Sequence, residues 1–303
     1  MKPKRRYKDR HQGPPQTRPE KIIKKAVKKV VKSPVLDTKN ISLHAKPTIL
    51  MVIAVYNELR LMPLKLRWCQ ANRVPLYVVD NYSKDGTWKW LKDHKDQLAG
   101  IHQVDTHETF DLRILQKSIM SVVHKRKPDW FIYASADLFA VTDFLMCDLL
   151  ELLDSNEYQA LSLPVVNLNN TGEKWKTYDP LNTYFYFKDG ARVTMTARYH
   201  EDMECFGDRV GMPGQKVYPA QGALFNFGFT KSAKERNETY ERRKRAWANG
   251  MKAGQGKHYP VAASHNWIWT KEELRDIRES EYAHYYDILR RQTSEETEQS
   301  IDE

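Results

Sequence analysis

Cysteine is scarce: Cys69, Cys147 and Cys205 are the only three in a chain of 303 residues, and they stand far apart. An odd number at that spacing offers neither a disulfide framework nor a paired-thiol zinc motif. Long apolar runs are lacking as well. No stretch approaches the ~20 residues that cross a bilayer. The leading MKPKRRYKDRHQGPPQTRPEK carries charge but no apolar segment of the kind a secretory signal needs. A reducing, cytoplasmic setting without a transmembrane segment is expected. Internal repeats are absent too.

Charge is present in quantity but unevenly placed. The net value is +10, yet residues 1–33 hold 13 of the 49 Lys/Arg and only 2 of the 39 Asp/Glu, leaving 36 basic against 37 acidic residues beyond them. The basicity belongs to an arm, so the isoelectric point does not make the whole chain a nucleic-acid binder. Within the arm, Ile22, Ile23, Ala26, Val27, Val30 and Val31 recur at helical spacing among lysines. This basic amphipathic helix suits an anionic partner, either DNA or a membrane surface. It equally suits docking on the protein's own body.

From Thr48 the character changes. ILMVIAVYNE, VPLYVVD and DWFIYASAD are apolar runs typical of strands covered on both faces. Helical patterns at Leu59–Ala71, Thr87–Leu98, Leu112–Lys125 and Asp143–Ser155 separate them, with further strands at Gly100–Val104 and Tyr158–Val165. Such alternation predicts βαβ units and an α/β fold with a mostly parallel sheet flanked by helices. After Asn167 the alternation decays into irregular chain with short antiparallel pieces, YFYF and RVTMTARY. Helices are expected over Lys231–Ala253 and Lys271–Arg291, then an acidic tail. The expected organisation is therefore an arm over 1–45, an α/β domain over 46–230, a helical extension over 231–292 and a tail over 293–303.

In open α/β sheets ligands bind beyond the carboxyl ends of the strands. Three strand ends here turn polar: AVYNE, VVDNYSKDGT and ASAD. Asp80 can accept from a ribose or a base N–H, Asn81 and Ser83 add short polar groups, and Gly86 lets the backbone turn closely. Asp85 has a competing role as cap of the helix beginning at Thr87, and Thr142 is the expected cap of the helix after ASAD.

VIAVYNE, VVDNYSKDGT and WFIYASADLF, in that order, resemble family 2 glycosyltransferases of the GT-A fold, inverting enzymes that use nucleotide sugars. The resemblance covers residues 48–140. It implies a pocket lined by Val55, Tyr56, Asn57 and Glu58, with Asp80 on the base or ribose, Asn81 and Ser83 beside it, and Arg113 toward the diphosphate. It also implies a UDP-sugar donor and Mn²⁺ or Mg²⁺. The family's Asp-x-Asp metal motif reads Ser135-Ala136-Asp137 here, and Leu138 stands where relatives often carry Glu. Asp137 is left as the metal carboxylate, with Ser135 as an oxygen or hydrogen-bond contact.

Inverting transfer needs a base for the acceptor hydroxyl. HEDMECFGD offers His200, Glu201, Asp202, Glu204 and Asp208, of which the Glu201-Asp202 pair is closest to the family pattern and Asp202 is the expected base. His265, or His258, is the candidate third metal ligand. Trp175, Tyr178, Tyr184, Tyr186, Trp267 and Trp269 supply aromatic faces for sugars or bases. The expected activity is inverting transfer of a hexose or pentose to a glycan or lipid at an anionic membrane, or to a hydroxylated base in DNA. The alternative is a non-catalytic nucleic-acid-binding or scaffold protein on a decayed transferase fold. A nucleotidyltransferase would show a Gly-rich loop at its first strand, and AVYNELRLMP has none.

Overall fold

ILMVIAV forms the central strand β1, Ile49–Val55. Its alternate side chains enter two different cores, Met51, Ile53 and Val55 on one face and Leu50 and Val52 on the other. That is why the run is apolar throughout rather than every second residue. The computed structural model describes residues 33–36, 46–106, 111–169, 186–206, 209–211, 214–230, 235, 238–239, 241 and 274–294. Most of the basic arm, nearly all of the 231–253 helix and the acidic tail from 295 lie outside them.

The chain continues through helix α1 (Met62–Ala71), β2 (Leu76–Asp80), α2 (Thr87–Asp93), β3 (Gly100–Gln103), α3 (Leu112–Arg126) and β4 (Trp130–Ser135). These strands lie side by side in the order β3-β2-β1-β4, all parallel, with their carboxyl ends along one edge. This is the architecture the alternating pattern predicts. Next come β5 (Leu138–Val141), α4 (Met146–Ser155), β6 (Ala160–Asn169), β7 (Tyr186–Arg198), β8 (Glu204–Phe206), β9 (Arg209–Gly211), β10 (Val217–Pro219), β11 (Ala223–Asn226), β12 (Arg275–Asp276) and α5 (Ala283–Thr293). The sheet extends from β4 through β7, β6 and β11 to β5, while β8 and β9 form a separate hairpin.

Four strand steps separate β4 from β5, ~19 Å in a flat sheet at ~4.8 Å per step. Yet only Ala136 and Asp137 join the two strands, a span of at most ~11 Å between Cα atoms. The sheet therefore curls, and Asp137 stands where it closes.

The face formed by Met51, Ile53 and Val55 packs under α1, α4 and α5, where Trp68, Leu149, Leu153, Tyr286 and Leu289 are buried. The opposite face carries α3, through Ile119 and Val123, and the β8–β9 hairpin, through Met203 and Val210. Each fully buried Leu or Ile contributes ~1.5–3 kcal/mol, which fixes the helices to the sheet without help from propensity.

Several boundaries differ from the periodicity. β5 follows β4 after two residues with no turn signal, β10 falls in chain that reads as irregular, and β11 follows directly after it. Helix α4 starts at Met146 because Thr142 Oγ1 turns to the backbone of Phe144. The Met146 N–H is accepted instead by Asn72 Oδ1 at 2.9 Å, a cap supplied by the residue after α1. Helix α5 begins twelve residues later than expected. Asp276 caps a short 3-10 turn over Ile277–Glu279, and Ser280 Oγ accepts from Tyr282 N, so local turns take up the chain before it.

Candidate active site

The polar exits of β1 and β2 are laced together. Asn57 N donates to Ser83 Oγ at 2.9 Å and Lys84 N to Asn57 Oδ1 at 2.8 Å. Glu58 N donates to Thr87 Oγ1 at 3.1 Å and Leu59 N to Asp85 Oδ2 at 3.0 Å. The other Asp85 oxygen takes Thr87 N at 3.0 Å. Asp85 thus ties the start of α2 to the β1 exit, a structural role. Gly86 turns between them at φ +101°, where an added Cβ would meet Leu59 Cδ2 at 3.3 Å. Asn57 (φ +54°) and Tyr82 (φ +52°) are both left-handed, an unfavourable backbone state for tyrosine that this network maintains.

Asp80 closes β2 and is wholly buried. Its Oδ2 accepts from Ser83 N at 3.1 Å and from Gln103 Nε2 at 2.9 Å. Its Oδ1 has no hydrogen-bond partner among the described residues. A buried carboxylate oxygen left unmatched costs ~1–3 kcal/mol, so a donor from a ligand is the natural complement. Asn81 is held beside it, with its N–H on Val55 O at 2.9 Å and its Oδ1 taking Thr106 Oγ1 at 2.8 Å. Tyr56 is half-buried at the β1 exit and Glu58 is buried there.

Register sets the spacing. Asp80 lies opposite Val55 and Ser135 opposite Ala54, on the two flanks of β1. Two strand spacings put them ~10 Å apart along one edge. Ser135 Oγ donates to Asp137 Oδ1, and Phe227 N donates to Asp137 O at 2.8 Å. Asp137 Oδ2 faces Gly228, where an added Cβ would lie only 2.7 Å from it. Gly228 is set by its own N–H on Asn226 Oδ1 at 2.9 Å, and Asn226 Nδ2 donates to Asn167 Oδ1 at 2.9 Å. The glycine keeps that carboxylate oxygen uncovered.

This donor set fits a hard divalent cation held by one protein carboxylate, with phosphates and water completing the shell. Among the described residues no cluster of three metal-ligating side chains forms. His258 and His265 lie outside them, as do Asp208 and the aromatics Trp175, Tyr178, Tyr184, Trp267 and Trp269.

Two expectations do not meet the geometry. β7 runs antiparallel to β4, with Arg198 opposite Trp130 and Tyr199 N bonded to Asp129 O at 2.9 Å. Chain leaving β7 therefore emerges at the amino end of β4, ~20 Å of strand from the tip that carries Asp137. Glu201 there pairs with Lys127 at 3.1 Å and Asp202 with His200 at 3.6 Å, all solvent-exposed. Glu201 and Asp202 are not brought to the cleft. Arg113 sits at the cleft end of α3, but its guanidinium clasps Asp111, with Nε 3.1 Å from Oδ1 and Nη2 2.9 Å from Oδ2. It is not aimed at the Asp137 turn.

Other residues at the cleft escape a motif reading. Gln103 reveals β3 as a fourth polar tip; the strand is too short and mixed to announce itself. Arg60, two residues beyond Glu58, reaches Thr230 Oγ1 at 3.3 Å and Glu235 at 3.7 Å, bringing a cation to the β1 exit. Asn226 and Gly228 join the site only through the curl of the sheet.

No protein-family model matches the sequence, and no curated protein does. Among solved structures, the chain is similar to Staphylococcus aureus TarS at 13% identity and a TM-score of 0.39, over 72% of this chain and 41% of that one. The same protein's residues 1–349 in complex with UDP align at 11% identity and TM-score 0.35, over 72% of this chain and 78% of that one. GalNAc-T7 with UDP, GalNAc and Mn²⁺ aligns at 10% identity and TM-score 0.35, over 68% of this chain and 48% of that one. The chain thus spans about two-fifths of the TarS structure and half of GalNAc-T7. Such scores are too low for any of these proteins' activities to be argued onto this chain.

Proposed function

We propose that the chain is a glycosyltransferase that binds a UDP-sugar along the carboxyl edge of β3-β2-β1-β4 and transfers the sugar, with inversion, to a hydroxyl acceptor. The observation that carries this reading is a buried, half-satisfied carboxylate, Asp80, on one side of β1 and, on the other, Ser135 ~10 Å away across two strand spacings, with the uncovered Asp137 two residues beyond it. A nucleoside diphosphate spans that interval, with base or ribose at one end and phosphates at the other.

In this reading Asp80 Oδ1 accepts a donor from the uracil or ribose. The rigid Asn57–Ser83 and Asp85–Leu59 lacing holds the pocket floor without reorganisation on binding. Asp137, oriented by Ser135 and the Gly228 turn, holds Mn²⁺ or Mg²⁺. The cation neutralises charge on the departing diphosphate when bound. Glu201 and Asp202, in exposed pairs at the amino end of β4, are not the base that takes the acceptor's proton.

The acceptor reading rests on the basic arm, which suits an anionic surface, membrane or DNA. Each arm Lys or Arg engaging duplex phosphate steepens the log–log salt dependence of DNA affinity by about one unit. Duplex binding that changes little between low and moderate salt argues for the membrane.

Hydrolysis of a panel of sugar nucleotides, with and without Mn²⁺, tests the function. Release of UDP from one of the donors, lost in Asp137→Asn, is the expected result. No turnover and no thermal stabilisation by any nucleotide favours the decayed-fold alternative, for which Ser135 and Leu138 in place of acids are the supporting observation.

A further inference from the structure

Lys65 lies in the middle of α1 and is completely buried. A lysine inside a core normally meets a carboxylate. Here the ammonium donates to the backbone carbonyl of Leu138 and stands 3.9 Å above the ring of Phe139 and 5.5 Å from that of Trp68. The ring faces favour a cation but do not replace a counter-ion. Two ionisable groups act on it through space, the Cys69 thiol one turn along α1 and the Asp137 carboxyl. Cys69 stays a neutral thiol, because burial pushes its pKa to about 12. Asp137, the residue before Leu138 in the chain, is the carboxylate that adjoins the Lys65 bond to Leu138 O.

The placement is specific. Lys65, Trp68 and Asn72 follow one stripe of α1 and its end, and each bonds the chain just beyond Asp137. Their partners are Leu138 O, Ala140 O at 3.0 Å and Met146 N at 2.9 Å. The stripe grips β5 from its first residue, so Lys65 is fixed immediately behind the Ser135–Asp137 turn. An Asp-x-Asp turn would present two negative charges to a cation. The Ser135–Asp137 turn presents one, with a positive charge built in behind it.

We propose that Lys65 is a fixed internal counter-charge to Asp137, a positioning residue that holds the turn and weakens its attraction for a divalent cation. The proposal deepens the transferase reading and rests on Asp137 facing the donor's phosphates. Its consequence is a site that takes the nucleotide with little help from the metal.

The test is Mn²⁺ affinity at pH 7 without nucleotide, read from the free-ion electron paramagnetic resonance signal, for the wild type, Lys65→Met and Lys65→Gln. Gln retains a donor for the Leu138 carbonyl while removing the charge, and so separates the two roles. Both variants are expected to bind Mn²⁺ about tenfold more tightly or better, since a like charge close behind the ligand is removed in a medium of low effective dielectric. A merely structural lysine would shift the melting temperature and leave Mn²⁺ affinity alone. A folded Lys65→Gln with unchanged or weaker Mn²⁺ affinity overturns the proposal, as does absence of Mn²⁺ binding in all three proteins. UDP titrated into the wild type in EDTA keeps the two readings apart. Binding there with a failed Mn²⁺ result removes the Lys65 role alone, and no binding of either ligand removes both.

Discussion

Asp80 and Ser135 flank the same strand: one is paired in register with Val55, the other with Ala54. Everything proposed for the cleft depends on this relationship, because it sets the buried Asp80 carboxylate and the Ser135–Asp137 turn on the same edge, two strand spacings apart.

Asp80 has one oxygen matched and one unmatched inside the core. Asp80→Asn keeps an acceptor for Ser83 N and removes the buried charge. Its expected effects diverge: a melting temperature equal to or above that of the wild type, and UDP affinity weaker by ~10–100-fold, the value of a hydrogen bond to a charged group. Differential scanning calorimetry and isothermal titration read the two separately.

At Gly228 a methyl group would press on the uncovered Asp137 oxygen from 2.7 Å. Gly228→Ala is expected to cut turnover on the order of 10–100-fold by displacing that carboxylate, with the fold retained by circular dichroism. Ser135→Asp is expected to do the opposite for the metal, tightening Mn²⁺ binding by adding a second carboxylate to the turn.

Glu201 and Asp202 lie at the amino end of β4 and take part in exposed pairs. Exposed pairs of this kind contribute ~0–1 kcal/mol. The double variant Glu201→Gln, Asp202→Asn is therefore expected to keep wild-type turnover and lose little stability. A loss of turnover comparable to that of Asp137→Asn would return this pair to the active site.

The buried Lys65 also makes a statement about pH. Its folded pKa, lowered by burial to about 8 from 10.5, means that between those values the native state has released a proton that the unfolded chain still holds. Stability contributed by this group therefore rises with pH through that window. Cys69 and Cys205, pushed up by burial to about 12, act in the opposite sense above pH 9. The comparison must therefore be with Lys65→Met. Relative to that variant, the wild type is expected to gain about 2–3 kcal/mol of stability on moving from pH 7 to pH 10, measured by urea unfolding.

How much of this was legible varied with the physics. β1, β2 and β4 are covered on both faces, so each reads as a continuous apolar run, and the three polar tips could be lined up from sequence alone. β5 could not be seen: LFAV follows ASAD without a turn residue, and only the curl of the sheet makes a second strand of it. Gly228, set by Asn226, comes beside Asp137 through that same curl. The position of Glu201-Asp202 has a topological reason. RVTMTARY reads as an antiparallel piece, but only its pairing with β4 shows that the chain leaving it emerges at the amino end, away from the carboxyl edge. Thr142 illustrates a local signal overridden by a distant one, since Asn72 supplies the acceptor for Met146.

The most direct measurement of the shared cleft is calorimetric titration of UDP into the wild type, Asp80→Asn and Asp137→Asn, each with Mn²⁺ and with EDTA. The account predicts that the wild type binds, that Asp80→Asn loses affinity in both conditions, and that Asp137→Asn loses only the part of the affinity that Mn²⁺ adds. Equal affinity in all three proteins, or no binding by the wild type, would contradict it.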